Sequence, residues 1–141
     1  MKIKKLLTAA LGVTAMLSTQ AKELTLAKDG KTDYKIVIAE KPAKQIKYAA
    51  QELSSFLKQI TGADFKIVSD KTAKGKYEIV LGETNRNVAV PNNLTVKIHE
   101  GFAVLRDGES LQFRGKIPRG TLYGVYDFLD EKLGVRFLAF D

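Results

Sequence analysis

Cysteine is missing from this chain of 141 residues, which excludes disulfides, thiolate metal sites and a cysteine nucleophile. Histidine occurs once, as His99, so no His-x-x-His pair exists and a zinc site would need carboxylates for its other ligands. No nucleophile-elbow motif supports a Ser-His-Asp site around that histidine. Gly115, Gly120 and Gly124 fall close together, yet they form neither Gly-x-Gly-x-x-Gly nor Gly-Lys-Ser/Thr, so no phosphate loop is present and no cofactor is expected. Repeats, low-complexity tracts and internal linkers are also lacking. The longest apolar run, Leu6 to Leu17, is too short for a comfortable membrane span.

What remains is the composition of one globular domain with a real core: 45% hydrophobic and 28% charged residues. That apolar content offsets the entropy of ordering and argues against disorder. The first 21 residues have the layout of a secretory signal. Lys2, Lys4 and Lys5 form a positive start, the Ala- and Leu-rich run follows, and Thr19-Gln20-Ala21 supplies small residues at a cleavage point. No cysteine follows the run, so a lipoprotein anchor is excluded. Residues 22–141 are the expected mature domain, secreted or periplasmic and without a membrane segment. Cleavage removes three lysines and lowers the formal charge from +7 to +4. The remaining excess is lysine scattered along the chain, with no arginine-rich stripe, so nucleic acid is not an expected partner. A mild basic face gives a weak bias toward acidic sugars or anionic surfaces.

Hydrophobic periodicity gives the elements. Leu24 to Ala27, a turn at Asp29-Gly30 and the strand Tyr34 to Ala39 predict a β-hairpin. Pro42 suits the first turn of a helix, which runs from Ala43 with Ile46, Ala49, Ala50, Leu53, Phe56, Leu57 and Ile60 at helical spacing and stops at Gly62. Phe65 to Ser69 and Tyr77 to Leu81 predict strands, the second apolar enough to be central. Short strands are expected at Leu94 to Ile98, Gly101 to Arg106 and Ser110 to Arg114, with a hairpin at Asp107-Gly108. A second helix ends at Gly134 before a last strand. Its expected apolar stripe is Leu122, Val125, Tyr126, Leu129 and Leu133, with Tyr123 and Phe128 beside it. The fold class is therefore α+β: a mixed sheet carrying two principal helices.

No residue stands out as catalytic or as a metal or cofactor ligand. His99 reads as a strand-end residue beside Glu100. Glu83, Asp107, Asp127, Asp130 and Glu131 read as loop, turn and solvated helix positions, with no feature pairing two of them across a sugar. The polar loop from Gly82 to Asn87 reads mainly as a surface connection, although a loop at the C-terminal end of a strand is where an open α/β sheet binds ligands. Gly124, inside a helix pattern, calls for close packing against a strand or neighbouring domain. Arg119, read as preceding the second helix, calls for a carboxylate or carbonyl partner. Asn93-Leu94-Thr95 matches the N-glycosylation pattern.

Two segments carry a family resemblance. One is Tyr48-Ala49-Ala50-Gln51-Glu52-Leu53, with Phe56-Leu57, Ile60-Thr61-Gly62-Ala63 and then Ile79-Val80-Leu81-Gly82. The other is Arg119-Gly120-Thr121-Leu122-Tyr123-Gly124-Val125-Tyr126-Asp127-Phe128-Leu129, followed by Leu133-Gly134-Val135-Arg136-Phe137. In this order they resemble the N-terminal domain of α-glucuronidase-type glycoside hydrolases, from about Leu24 to Asp141. That domain is similar to the small pre-barrel domain of β-hexosaminidases and of secreted bacterial glycosidase-like proteins. The resemblance implies an accessory unit packed on a following (β/α)8 catalytic barrel that carries the catalytic carboxylates. It also implies a fragment or truncated product, since the chain stops where the family's polypeptide enters its barrel. Two alternatives stay open. One is a free-standing carbohydrate-binding or adhesion module touching glycan through Tyr123 or Glu83 to Asn87; the other is a small hydrolase in its own right.

Overall fold

The computed structural model describes residues 2–3, 23–90 and 101–134. The signal-like run, the expected strand at 94–98, His99, the glycosylation pattern and the exit strand after Gly134 lie outside the described residues. In chain order the elements are β1 (Lys2–Ile3), β2 (Leu24–Thr25), β3 (Lys35–Ile38), α1 (Lys44–Thr61), β4 (Ile67–Ser69), β5 (Glu78–Leu81), β6 (Phe102–Asp107), β7 (Ser110–Gly115) and α2 (Pro118–Leu133). β1 and β2 pair with each other, and the other five strands form one sheet in the order β4-β3-β5-β7-β6. β3 is parallel to both β4 and β5, and β5 to β7, while β6 is antiparallel to β7. This is the expected mixed sheet with two helices, open rather than closed into a barrel, and β5 is its central strand.

Both helices lie on one face, where β-strand alternation delivers Ile36, Ile38, Ile79, Leu81, Val104, Leu111 and Phe113. α1 meets them with Ile46, Ala49, Ala50, Leu53 and Leu57. Its left-handed cap at Gly62 (φ 75°) returns an N–H to the Lys58 carbonyl at 2.8 Å. Ile60, expected on the buried stripe, is 42% exposed, and the chain returns to the core beyond the helix at Ala63 and Phe65. Pro42 lies just outside α1, before the N-cap Ala43, and so ends the preceding segment rather than starting the helix.

α2 corrects the sequence reading in two ways. It begins at Pro118, which places Arg119 and Gly120 inside its first turn. Its buried positions are Gly120, Thr121, Gly124, Val125, Phe128 and Leu129, a stripe rotated away from Leu122, Tyr126 and Leu133, which are only partly buried. The small residues drive this rotation. A Cβ on Gly124 would come within 3.0 Å of the Phe102 ring on β6, so the helix sits closer to that strand than a side chain would allow. Phe128 then stands edge-on to Phe113 with ring centroids 5.3 Å apart.

The first predicted hairpin forms only as a turn. Asp29 (φ 52°) and Gly30 (φ 71°) adopt the left-handed pair that such a turn requires, closed by a Lys28–Lys31 bridge. β3 does not fold back on β2, because both of its edges are taken by β4 and β5. The second hairpin forms as expected, with Gly108 (φ 60°) between the paired residues Asp107 and Ser110.

Candidate functional site

The other face of the sheet holds the least expected chemistry. Here alternation delivers Glu78 and Val80 from β5, Gln112 and Arg114 from β7, and Ala103 and Leu105 from β6. The stretch 83–90, overlapping the Gly82 to Asn87 loop that reads from sequence as a surface connection, lies over this face, with Arg86 alone among residues 83–90 buried. Val88 and Val90 pack on Ala103 and Leu105. Arg86, 6% exposed, turns inward onto Glu78, 3% exposed, with Nε 3.2 Å from the Glu78 carboxylate. The rest of its guanidinium donates to the Asp70 carbonyl at 2.7 Å, to the Thr72 carbonyl and to the Asn85 side chain. Gly75 N–H adds 2.9 Å support to the Glu78 carboxylate. Gln112 clips the strap from below: its amide donates to the Arg86 carbonyl at 2.7 Å and accepts from Val88 N–H at 3.2 Å. At the rim, Arg114 donates to Glu83 at 2.9 Å and to the Val88 carbonyl at 3.2 Å. Arg86 and Arg114 each meet a glutamate, so this network holds a backbone in place, while Arg114 Nε is buried without a hydrogen-bond partner among the described residues.

Openings lie at the two ends of the strands. At the C-terminal ends of β3, β5 and β7, a cleft of about 230 Å³ is bounded by Lys41, Ile46, Gly82, Glu83, Lys116 and Thr121. The first turns of both helices border it. Their N-caps, Ala43 and Ile117, offer no capping side chain, and neither first turn carries an acid. Gly82 (φ 73°) keeps the cleft floor tight, since a Cβ there would meet Ile46 at 2.9 Å. At the opposite ends, a cavity of about 380 Å³ is lined by Glu23, Asp33 and Glu109 interleaved with Lys28 and Lys31, and walled by Tyr34 and Tyr77. Tyr34 donates its hydroxyl to the Glu109 carbonyl at 2.6 Å and stands edge-on to Tyr77. Burial, reinforced by nearby Glu109, pushes the Tyr34 hydroxyl up to about 12. Among the described residues, no three acidic or histidine side chains come together closely enough to hold a metal ion.

The carboxylates singled out from sequence are not assembled. Glu83 sits at the C-terminal strand edge, held by Arg114 and by Asn87 at 2.7 Å. Asp107 ends β6 at the other edge of the sheet. Asp127, Asp130 and Glu131 share one stretch of α2, where burial and then the like charge of Glu131 raise the Asp127 carboxyl above its ordinary range. Tyr123 is 41% exposed on the outer side of α2, while Tyr126 hydrogen-bonds Tyr48 across the helix pair. Burial, then that bond, raises the Tyr126 hydroxyl above the ordinary tyrosine range. The inward Arg86–Glu78 pair escaped sequence reasoning. Its one signal was a glutamate inside the otherwise apolar central strand, which burial obliges to find a partner.

Three comparisons bear on this geometry. The family model described as glycosyl hydrolase family 67 N-terminus matches residues 21–128. No curated protein sequence matches the chain. Among solved structures, a GH138 enzyme targeting pectin rhamnogalacturonan II is similar at a TM-score of 0.48 and 17% identity, over 70% of this chain. The chain spans about 10% of that enzyme's length.

Proposed function

Because the chain belongs to the glycosyl hydrolase family 67 N-terminus family, we propose that it is the non-catalytic accessory domain of a secreted glycoside hydrolase acting on polysaccharide. In this reading it supports a (β/α)8 catalytic barrel carried by the same polypeptide. The observation that carries the proposal is the family match over residues 21–128. The geometry agrees with a supporting role. A sheet packed on one side by helices and strapped on the other through two arginine–glutamate pairs is firmly fastened, and rigid elements position a site better than loops do. Of the carboxylates singled out from sequence, Glu83 is engaged by Arg114, Asp107 lies at the other edge of the sheet, and Asp127, Asp130 and Glu131 share one helix, whereas glycoside hydrolysis needs two of them facing each other across a sugar.

The test has three parts. Mass spectrometry of the exported protein is expected to show an N-terminus at Lys22; an intact leader in the exported protein counts against secretion by cleavage. The polypeptide continued past Asp141 is expected to show several hundred residues of alternating strand and helix pattern, and a stop codon there removes the barrel from the proposal. The chain alone is expected to leave aryl-glucuronides and other aryl-glycosides unchanged. Turnover that disappears on replacing one of its own carboxylates, such as Glu83→Gln, overturns the non-catalytic reading.

A further inference from the structure

The cleft at the C-terminal strand edge does not end at the helix tips. It adjoins a shallow groove of about 430 Å³ along the helix pair, lined by Lys44, Gln45, Lys47, Tyr48, Gln51 and Leu122. A third opening between them is bounded by Ala39 and Pro42 of the cleft and by Lys47 and Gln51 of the groove, so together they form one strip. Four lysines face this strip: Lys41 and Lys116 on the cleft, Lys44 and Lys47 on the groove. All four are exposed, and among the described residues none makes an ion pair. The one acid lining the cleft or the groove, Glu83, is already neutralised by Arg114 at 2.9 Å. Glu40, next to Lys41 in sequence, is likewise taken up by Lys71 at 2.6 Å. The strip is therefore of one sign, although the chain as a whole mixes both. It also presents apolar surface where a folded domain normally hides it: Tyr48 is 48% exposed within the groove, while Tyr123, 41% exposed, lines neither the cleft nor the groove.

We propose that this strip is a binding surface for a carboxylated polysaccharide, with Lys41, Lys44, Lys47 and Lys116 meeting carboxylates and the ring of Tyr48 lying against a sugar face. The choice of a polysaccharide over another polyanion rests on the accessory-domain reading above. The physical case is charge complementarity with unpaired cations, joined to an exposed aromatic ring of the kind that offers a flat apolar face with a polar edge. A neutral glycan would use the tyrosine and leave the four lysines without a role. A protein partner of high affinity would need a larger and more apolar patch than these scattered rings provide.

Affinity electrophoresis of the full chain tests this with a matched pair of polymers, carboxymethylcellulose and hydroxyethylcellulose. Retardation is expected in the carboxylated gel only, weakening steadily with added salt. Lys41→Glu/Lys116→Glu is expected to reduce the affinity by about tenfold or more. Lys31→Glu/Lys74→Glu, an equal change of net charge away from the strip, is expected to leave most of it. Tyr48→Ala is expected to weaken binding without changing its salt dependence. Equal retardation in both gels, equal loss in both double variants, or tighter binding to single-stranded DNA than to carboxymethylcellulose each overturns the proposal. None of these results bears on whether a barrel follows Asp141 or on turnover of aryl-glycosides, so the accessory-domain reading stands or falls separately.

Discussion

Replacing Arg86 with alanine is the perturbation that the structure prices most clearly. Two ion pairs invite comparison. Lys71 and Glu40 approach to 2.6 Å, but their side chains are 69% and 48% exposed. Arg86 and Glu78 stand farther apart, at 3.2 Å, with both side chains only 5% exposed. Distance alone would favour the first pair; solvent reverses the order. An exposed pair contributes about 0–1 kcal/mol, so Lys71→Ala is expected to be almost silent. Removing Arg86 strands a carboxylate in the interior and strips donors from the Asp70 and Thr72 carbonyls, a class of change that costs about 3–5 kcal/mol. For a domain of this size that corresponds to a fall in melting temperature of roughly 10–20 °C. Urea unfolding of wild type, Arg86→Ala and Glu78→Leu/Arg86→Met gives the direct readout. The double variant removes both charges, so it is expected to recover at least about 1 kcal/mol relative to Arg86→Ala. A loss below about 1 kcal/mol for Arg86→Ala, or a double variant no better than the single, would refute the claim that a buried charge pair fastens the strap.

Two further outcomes follow from packing and titration. At Gly115 an added Cβ would lie 2.2 Å from the Thr121 backbone nitrogen and 2.6 Å from the Ile117 carbonyl oxygen, both backbone atoms that cannot swing aside. Gly115→Ala is therefore expected to cost about 3 kcal/mol or more, read as a lowered urea midpoint; an unchanged midpoint contradicts so close an approach of β7 to α2. Tyr34 keeps its proton to about 12 in the fold, against 10.0 ordinarily. Between these values the unfolded chain sheds the proton first, so stability is full below about pH 10 and declines as pH rises toward 12. Tyr34→Phe is expected to cost about 1 kcal/mol at neutral pH and to flatten that alkaline decline, which unfolding curves across the alkaline range would show; an equally steep decline in the variant rules Tyr34 out as its source.

How much of this was legible in the sequence depended on how local each cause was. α1 could be read from its apolar spacing and from Gly62, because both act within a few turns of chain. The β6–β7 hairpin followed from Asp107-Gly108 for the same reason. β3 was found as a strand but assigned the wrong partner: a turn at Asp29-Gly30 is a local fact, whereas pairing with β4 and β5 is settled by chain far downstream. On α2 the largest side chains suggested one stripe, and the smallest, Gly120 and Gly124, decided another, since close approach to β6 and β7 requires positions with little or no side chain. The strap was missed because Arg86 looks like any loop arginine until Glu78, eight residues earlier, is seen to face inward on the side of the sheet away from the helices. The family resemblance, by contrast, needed no geometry, and the match over residues 21–128 agrees with it.

The two faces of this sheet are fastened by different forces, and so they should loosen under different conditions. On the helix face the seal is hydrocarbon, from Ile36 and Leu53 to Phe113 and Leu129, and such contacts weaken as water is cooled. On the strap face it is largely a guanidinium, a carboxylate and an amide, whose strength comes from a dry surrounding more than from area. Chilling therefore acts first on the helix layer. A single stray charge or a bound water at Arg86 acts first on the strap, and can lift residues 83–90 as a local opening while the helices stay seated.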